Sequence, residues 1–235
     1  MGLRNLFWNG MNWLFPPRCV CCGREGKEIC DECLSGMQPV GESFCPVCGK
    51  PLRKGRHCPL CAVSDFRFRS SRAPYLYEGA ASAMIKALKF NGCRSLAPVL
   101  ADLMADFLQQ LRWTSDLIIP VPLSERRRAR RGFNQSELIG GFFSKRTGIP
   151  MNPKALMKVR HTEAQVGLNA EERRKNLLGS FAAEKALVRG KRILLLDDVM
   201  TTGSTFAECT AALLEAGADS VNCISAATTA VENGT

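Results

Sequence analysis

Four Cys-x-x-Cys pairs within residues 19–61 constrain this chain more than any other feature: Cys19/Cys22, Cys30/Cys33, Cys45/Cys48 and Cys58/Cys61. Two residues between cysteines let a tight turn aim both sulfurs at one metal ion, and a tetrahedral Zn²⁺ needs two such turns. Gly23 and Gly49 each follow a pair, where the backbone must turn sharply. Eight thiolates make two Cys₄ sites. Such sites are closed, so the two Zn²⁺ ions are expected to be structural. The segment has few large apolar residues, so metal binding must supply much of its folding energy. A sequential scheme joins the first two pairs and the last two; a cross-braced scheme would join the first with the third. The sequential scheme is favoured. Cys21 is left as a spare thiol, and His57 reads as a neighbour of Cys58 rather than a ligand. Cys93, Cys209 and Cys223 are isolated and read as small apolar residues.

Nine of the twelve cysteines lie in that segment. The first seventeen residues, MGLRNLFWNGMNWLFPP, are apolar but interrupted by Asn5, Asn9, Gly10 and Asn12, with no small-residue cleavage site. They read as an amphipathic segment, not a signal peptide. The expected compartment is therefore reducing and cytoplasmic, where thiolate–metal bonds persist and disulfides do not. No apolar run approaches the roughly 20 residues of a membrane span. The 235 residues divide into an N-terminal segment (1–17), a zinc module (18–63) and a larger domain (72–235), with residues 62–73 as linker. Of the net charge of +10, residues 1–65 hold +2 and the remainder +8. That bias suits a phosphorylated or polyanionic ligand.

Beyond the linker, strand and helix patterns alternate. Residues 75–77, 117–121, 192–196 and 220–226 read as strands. Residues 80–90, 96–111, 135–147 and 205–216 read as helices, with Asn134 as an N-cap. Strands alternating with helices predict an α/β fold with a mostly parallel sheet.

Residues 192–206 read RILLLDDVMTTGSTF. An apolar strand delivers Asp197 and Asp198 at its C-terminal end, where open α/β sheets bind ligands. Thr201, Thr202, Ser204 and Thr205 add hydroxyls, and Gly203 lets the backbone close around a phosphate at a helix N-terminus. The two aspartates are acceptors suited to sugar hydroxyls or to a Mg²⁺ shell. Phosphate at one end and sugar at the other describe a ribose phosphate. No P-loop and no Gly-x-Gly-x-x-Gly is present.

This segment resembles the motif by which type I phosphoribosyltransferases bind phosphoribosyl pyrophosphate (PRPP): four apolar residues, two acidic residues, two variable positions, then Thr-Gly-Ser/Thr. The resemblance implies that Thr201–Thr205 cradles the 5′-phosphate, that Asp197 and Asp198 meet the ribose and form the catalytic pair, and that Mg²⁺ accompanies PRPP. Nearly the whole chain is similar to the ComF/GntX family. The similarity is carried by LFPPRC at 14–19, IKALKF at 85–90, VPL at 121–123, RRGFNQ at 130–135, and Arg160 through Gln165, Leu168, Arg173 and Asn176 to Phe181. That resemblance implies a phosphoribosyltransferase-like domain behind a double zinc ribbon and an association with DNA uptake in natural competence, with competence-machinery proteins as partners.

Glu125–Arg131 is a basic run that follows the 117–121 strand, where the superfamily places its pyrophosphate loop. Some of its arginines, Arg131 included, are thereby candidates for holding phosphate. The same run could track single-stranded DNA, with Phe133, Tyr75 or Tyr77 as stacking faces. Residues 160–180 occupy the position of the flexible loop that closes over substrate in the superfamily. Three functions are in contention: a ribose-phosphate-binding protein of DNA uptake, an active phosphoribosyltransferase of unknown acceptor, and an adaptor acting through its zinc module. No segment reads as a hood specific for a nucleobase; the zinc module stands where one could be.

Overall fold

The computed structural model describes residues 16–52, 58–62, 64–160 and 179–230. Residues 1–15 of the apolar N-terminal segment, His57, and residues 161–178 of the expected closing loop lie outside the described residues.

In chain order the elements are α1 (Asp31–Ser35), α2 (Pro59–Ala62), β1 (Ser70–Arg72), β2 (Tyr75–Leu76), α3 (Gly79–Phe90), α4 (Leu96–Leu111), β3 (Leu117–Pro120), α5 (Glu125–Arg131), α6 (Gln135–Thr147), β4 (Leu156–Lys158), β5 (Phe181–Ala183), α7 (Lys185–Val188), β6 (Arg192–Met200), α8 (Ser204–Glu215) and β7 (Ser220–Thr228). The main sheet has the order β1-β7-β6-β3, with β2 also on β7, and every pairing is parallel. β4 and β5 form a separate antiparallel ribbon.

The alternation of side chains along β6 builds two cores. Leu194 and Leu196 face α3, α4 and α6. Ile193 and Leu195 face the other way, onto Phe206, Cys209 and Leu213 of α8. Leu194, Leu195 and Leu196 are wholly buried, each contributing about 2 kcal/mol of apolar transfer. The helices at 96–111 and 135–147 have the expected bounds. The Asn134 side chain accepts from Ser136 N–H at 3.0 Å and donates to the Val121 carbonyl at 3.0 Å, fixing the start of α6 against the end of β3.

Three expectations change. The linker at 62–73 is not free: it contains β1, and Phe68 and Ala73 are buried. Three polar residues carry no strand signal of their own, and β1 exists because β7 offers it an edge. The basic run at 125–131 is a helix, not a loop, ending on Gly132 in the left-handed region. Strand β6 continues through both aspartates to Met200.

Each half of the cysteine module packs on a different core. Cys19, Ile29, Cys30 and Met37 join the α3–α4 side, and Cys45, Cys48 and Cys58 join the α8 side. Gly49 lies so close to Ser71 that a Cβ would sit 2.2 Å from its carbonyl oxygen, and its φ is +71°. Lys50 is buried and donates from Nζ to the Thr229 carbonyl and hydroxyl, both at 2.7 Å. Among the described residues no helix is long and apolar enough to cross a membrane.

Candidate functional site

The cysteines gather as two quartets, Cys19/Cys22/Cys30/Cys33 and Cys45/Cys48/Cys58/Cys61, with the sulfurs of each within 4.8 Å of one another. This is the sequential pairing. Sulfur–sulfur distances are 3.7 Å for Cys22/Cys30 and 3.5 Å for both Cys45/Cys61 and Cys48/Cys58. A zinc ion bound at about 2.3 Å to four tetrahedral sulfurs sets those edges near 3.8 Å, so both quartets fit structural Zn²⁺. The turns are closed by backbone bonds from Gly23 N–H to the Cys19 carbonyl (2.8 Å) and from Gly49 N–H to the Cys45 carbonyl (2.9 Å). Burial works against the Cys19 thiolate, but the N–H groups of Cys22, Cys30 and Cys21 outweigh it and bring its pKa to about 6. In the second quartet burial, with the neighbouring Cys45 sulfur, pushes Cys61 up to about 12. Four thiolates at this spacing need a divalent cation among them to stay ionised together.

The second site lies at the C-terminal end of the parallel sheet. A cavity of about 240 Å³ is lined by Asp197 and Asp198 from β6, Thr201 from the turn after it, Thr205 from the start of α8, and by residues 121–124 where the chain leaves β3. Tyr77 and Lys89 enter from the α3 side, Arg127 from α5, Gln135 from α6, and Lys158 and Phe181 from the β4–β5 ribbon. Parallel strands end together here, and this is what brings residues some 120 positions apart into one cleft.

The turn between β6 and α8 has the geometry its sequence suggests. Gly203 adopts φ +77°, and Ser204 opens a twelve-residue helix. Thr202 Oγ1 and Ser204 Oγ are 2.9 Å apart. Thr201, Thr202, Gly203 and Thr205 also line a smaller hollow with Asp197. The backbone N–H groups of the first turn and the Thr202 and Ser204 hydroxyls thus converge at the positive end of the α8 dipole. A Cβ on Gly203 would meet the Phe66 ring and the Met200 methyl at 3.0 Å, so the loop glycine is closed from outside by the segment that follows the second cysteine quartet.

The two aspartates are not equivalent. Asp197 accepts from Ser136 Oγ at 2.6 Å and from Asp198 N–H at 2.9 Å. Burial and then the charge of Asp198 raise its pKa to about 7, against the opposing effects of the Ser136 hydroxyl and Lys89. Asp198 lies on the strand face of Leu194 and Leu196, and its Oδ2 is 2.8 Å from Lys89 Nζ. Their side chains are 4% and 19% exposed. Burial works against the Lys89 ammonium, and Asp198 more than offsets it, so the lysine pKa rises.

Of the basic run, Arg127 lines the cavity. Arg131 does not: it donates to Gln135 Oε1 and lies 5.7 Å from the Phe90 ring centre. Arg127 was a candidate as part of the basic run, whereas Lys89, Ser136 and Lys158 had no assigned role in the sequence. Of those three, only Lys89 carried a signal, the IKALKF segment. Lys158 sits 5.4 Å above the Phe181 ring, and burial followed by the Arg127 charge lowers its pKa.

A metal-ribbon module fused to a parallel sheet with this acidic, hydroxyl-rich strand end defines a class. Residues 10–62 match the double zinc ribbon domain and residues 145–233 the phosphoribosyl transferase domain. The DNA utilization protein YhgH of Escherichia coli O157:H7 is 35% identical over 199 residues, 82% of this chain and 87% of its own. Competence protein F of Haemophilus influenzae is 33% identical over 215 residues, 87% and 93% of the two chains. Competence protein ComFC of Bacillus subtilis is 27% identical over 203 residues, 81% and 80% of the two. Among solved structures, the adenine phosphoribosyltransferase of Leishmania tarentolae overlaps 74% of this chain and 75% of its own, at 16% identity and a TM-score of 0.37. The chain belongs to the ComF/GntX family.

Proposed function

We propose that the cavity at the end of β6 binds a ribose phosphate, PRPP with Mg²⁺ fitting it best, and that the protein works in the cytoplasm in the handling of DNA during its uptake. The carrying observation is the juxtaposition of Asp197 and Asp198 with the 201–205 turn at the start of α8, inside one cleft that also holds Lys89, Arg127 and Lys158. In this scheme Thr201, Thr202, Gly203, Ser204 and Thr205 hold the 5′-phosphate, and the carboxylates accept from ribose hydroxyls. Arg127 and Lys158 face the space a pyrophosphate would fill, and Arg131 supports that wall through Gln135. Mg²⁺, when bound, neutralises pyrophosphate charge. The expected domain boundaries, a zinc module over 18–63 and a ligand-binding domain over 72–235, belong to the same proposal.

The DNA-uptake role draws on the names of the relatives and on the surface beside the cavity. Arg126, Arg128 and Arg130 of α5 are exposed. Nearby, Arg94 stacks over Phe133 at 4.6 Å and Arg131 over Phe90 at 5.7 Å. Cations set against aromatic faces suit single-stranded DNA.

PRPP with Mg²⁺ is expected to raise the melting temperature of the zinc-loaded protein, and Asp197→Asn/Asp198→Asn to remove the shift; no shift in the parent refutes the pocket assignment. Single-stranded DNA binding should weaken with salt and with Arg127→Ala/Arg130→Ala, and salt-independent binding counts against a DNA role. A second scheme, ribosyl transfer from PRPP to an acceptor, is favoured by the cations that could hold a departing pyrophosphate. Pyrophosphate release across a panel of acceptors tests it.

A further inference from the structure

In the cavity, Lys89 is the cation in direct contact with the acidic pair. It belongs to the last turn of α3, a helix whose inner face is committed to the core: Met84, Ile85 and Leu88 are completely buried. The lysine is therefore aimed by packing rather than by chance. Its Nζ lies 2.8 Å from Asp198 Oδ2, and the lysine still borders the cavity together with Tyr77. Asp198 borders the cavity but is nearly closed from solvent by this ion pair, its side chain being 4% exposed. Asp197 has a different environment. It holds the Ser136 hydroxyl on Oδ1 and borders both the main cavity and the phosphate hollow.

Two adjacent carboxylates at the mouth of a phosphate site carry a double negative charge when both are ionised, which would repel an anionic ligand and attract a divalent cation. One buried ammonium at contact distance removes half of that charge. We propose that Lys89 is the resident counter-cation of the acidic pair: a positioning residue that lets the unliganded site dispense with a divalent cation, and that leaves Asp197 as the carboxylate open to a sugar hydroxyl. It rests on the ribose-phosphate assignment and adds to it a division of labour and an order of events. Mg²⁺ then arrives with the pyrophosphate of the ligand and is not held by the free protein at Asp197 and Asp198. The ammonium borders the same space, so it also offers a donor to the sugar, complementing the acceptor Asp197. A hydroxyl meets one donor and one acceptor, which suits its chemistry better than two acceptors.

The test uses the zinc-loaded full chain as wild type, Lys89→Met and Lys89→Arg, with MgCl₂ alone, ribose 5-phosphate and inorganic phosphate as probes. Wild type should show no melting shift with Mg²⁺ alone and should bind ribose 5-phosphate equally well with Mg²⁺ or with a chelator selective for it. Lys89→Met should gain a Mg²⁺-dependent rise in melting temperature. It should also bind ribose 5-phosphate about tenfold or more weakly without Mg²⁺, the loss of a charge-assisted contact, while inorganic phosphate binding changes little. Lys89→Arg should restore the wild-type pattern. Should Lys89→Met fold poorly, Lys89→Met/Asp198→Leu removes both charges, and the Mg²⁺ response should vanish with them. Mg²⁺ stabilisation of the wild type equal to that of Lys89→Met overturns the proposal, as does unchanged sugar-phosphate binding in Lys89→Met. Failure of the wild type to bind either phosphate ligand overturns the ribose-phosphate assignment instead, so the two failures are distinct.

Discussion

Replacing Lys50 by Met tests how tightly the second cysteine ribbon is fastened to the sheet. The side chain is 3% exposed, and its Nζ donates at 2.7 Å to both the carbonyl and the hydroxyl of Thr229, 179 residues away. Methionine keeps most of the aliphatic stem and so most of the packing. What is lost is a charge-assisted contact shared between two acceptors, worth about 1.5–3 kcal/mol, plus part of the cost of leaving the Thr229 carbonyl with only the more distant Thr228 hydroxyl at 3.5 Å. The expected destabilisation is about 2–4 kcal/mol, which in a chain of this size lowers the melting temperature by about 5–15 °C. Thermal unfolding of the zinc-loaded protein, followed by circular dichroism, measures it. A cycle with Thr229→Val isolates the hydroxyl arm and should show a coupling above about 0.5 kcal/mol. A melting shift below about 2 °C, or additivity of the two substitutions, refutes the fastening role.

Further outcomes are expected. Metal analysis should return about two zinc ions per chain, and a strong chelator should lower the melting temperature sharply, since both quartets are built into the cores. Gly203→Ala places a Cβ at 3.0 Å from Phe66 and Met200 in a backbone with φ +77°; it should cost about 1–2 kcal/mol in stability and weaken binding of inorganic phosphate, as read by urea unfolding and calorimetry. For Asp197, burial and the Asp198 charge raise the pKa from 3.8 to about 7, so the folded state holds this proton more tightly than the unfolded chain does. Its contribution to stability is present below the unfolded value and is lost as pH rises through about 7. The urea midpoint of Asp197→Asn relative to the parent should therefore rise between about pH 5 and pH 8, and a flat difference would contradict the raised pKa.

The long helices were legible because their apolar residues recur at helical spacing, as in 96–111, and because Asn134 is a strong N-cap. The tight turn between β6 and α8 was legible because a glycine among hydroxyl residues after an apolar strand marks a turn into a helix. Residues 125–131 hid their helix because a run of charges has no apolar period; the left-handed cap at Gly132 is its one local stop signal. β1 hid because its stability lies wholly in its partner. The inequality of Asp197 and Asp198 was invisible for a similar reason. Adjacent in sequence, they differ only in what crosses over them, and Lys89 arrives from a helix more than a hundred residues earlier. A lysine in a last helical turn ordinarily reads as a dipole partner.

The close seat of Gly49 on Ser71 bears on the order in which the chain assembles. Val47 accepts a hydrogen bond from Ser71 N–H at 2.7 Å, and β1 pairs with β7 through Ser70↔Asn222. During synthesis the ribbons and β1 leave the ribosome long before β7 exists. A metal-locked knuckle can hold the first strand by its backbone while its permanent neighbour is still unmade. The last strand then completes a seam whose opposite lip is already in place. Zinc supply at the moment of translation would in that case set the yield of folded protein, even though neither ion borders the cavity.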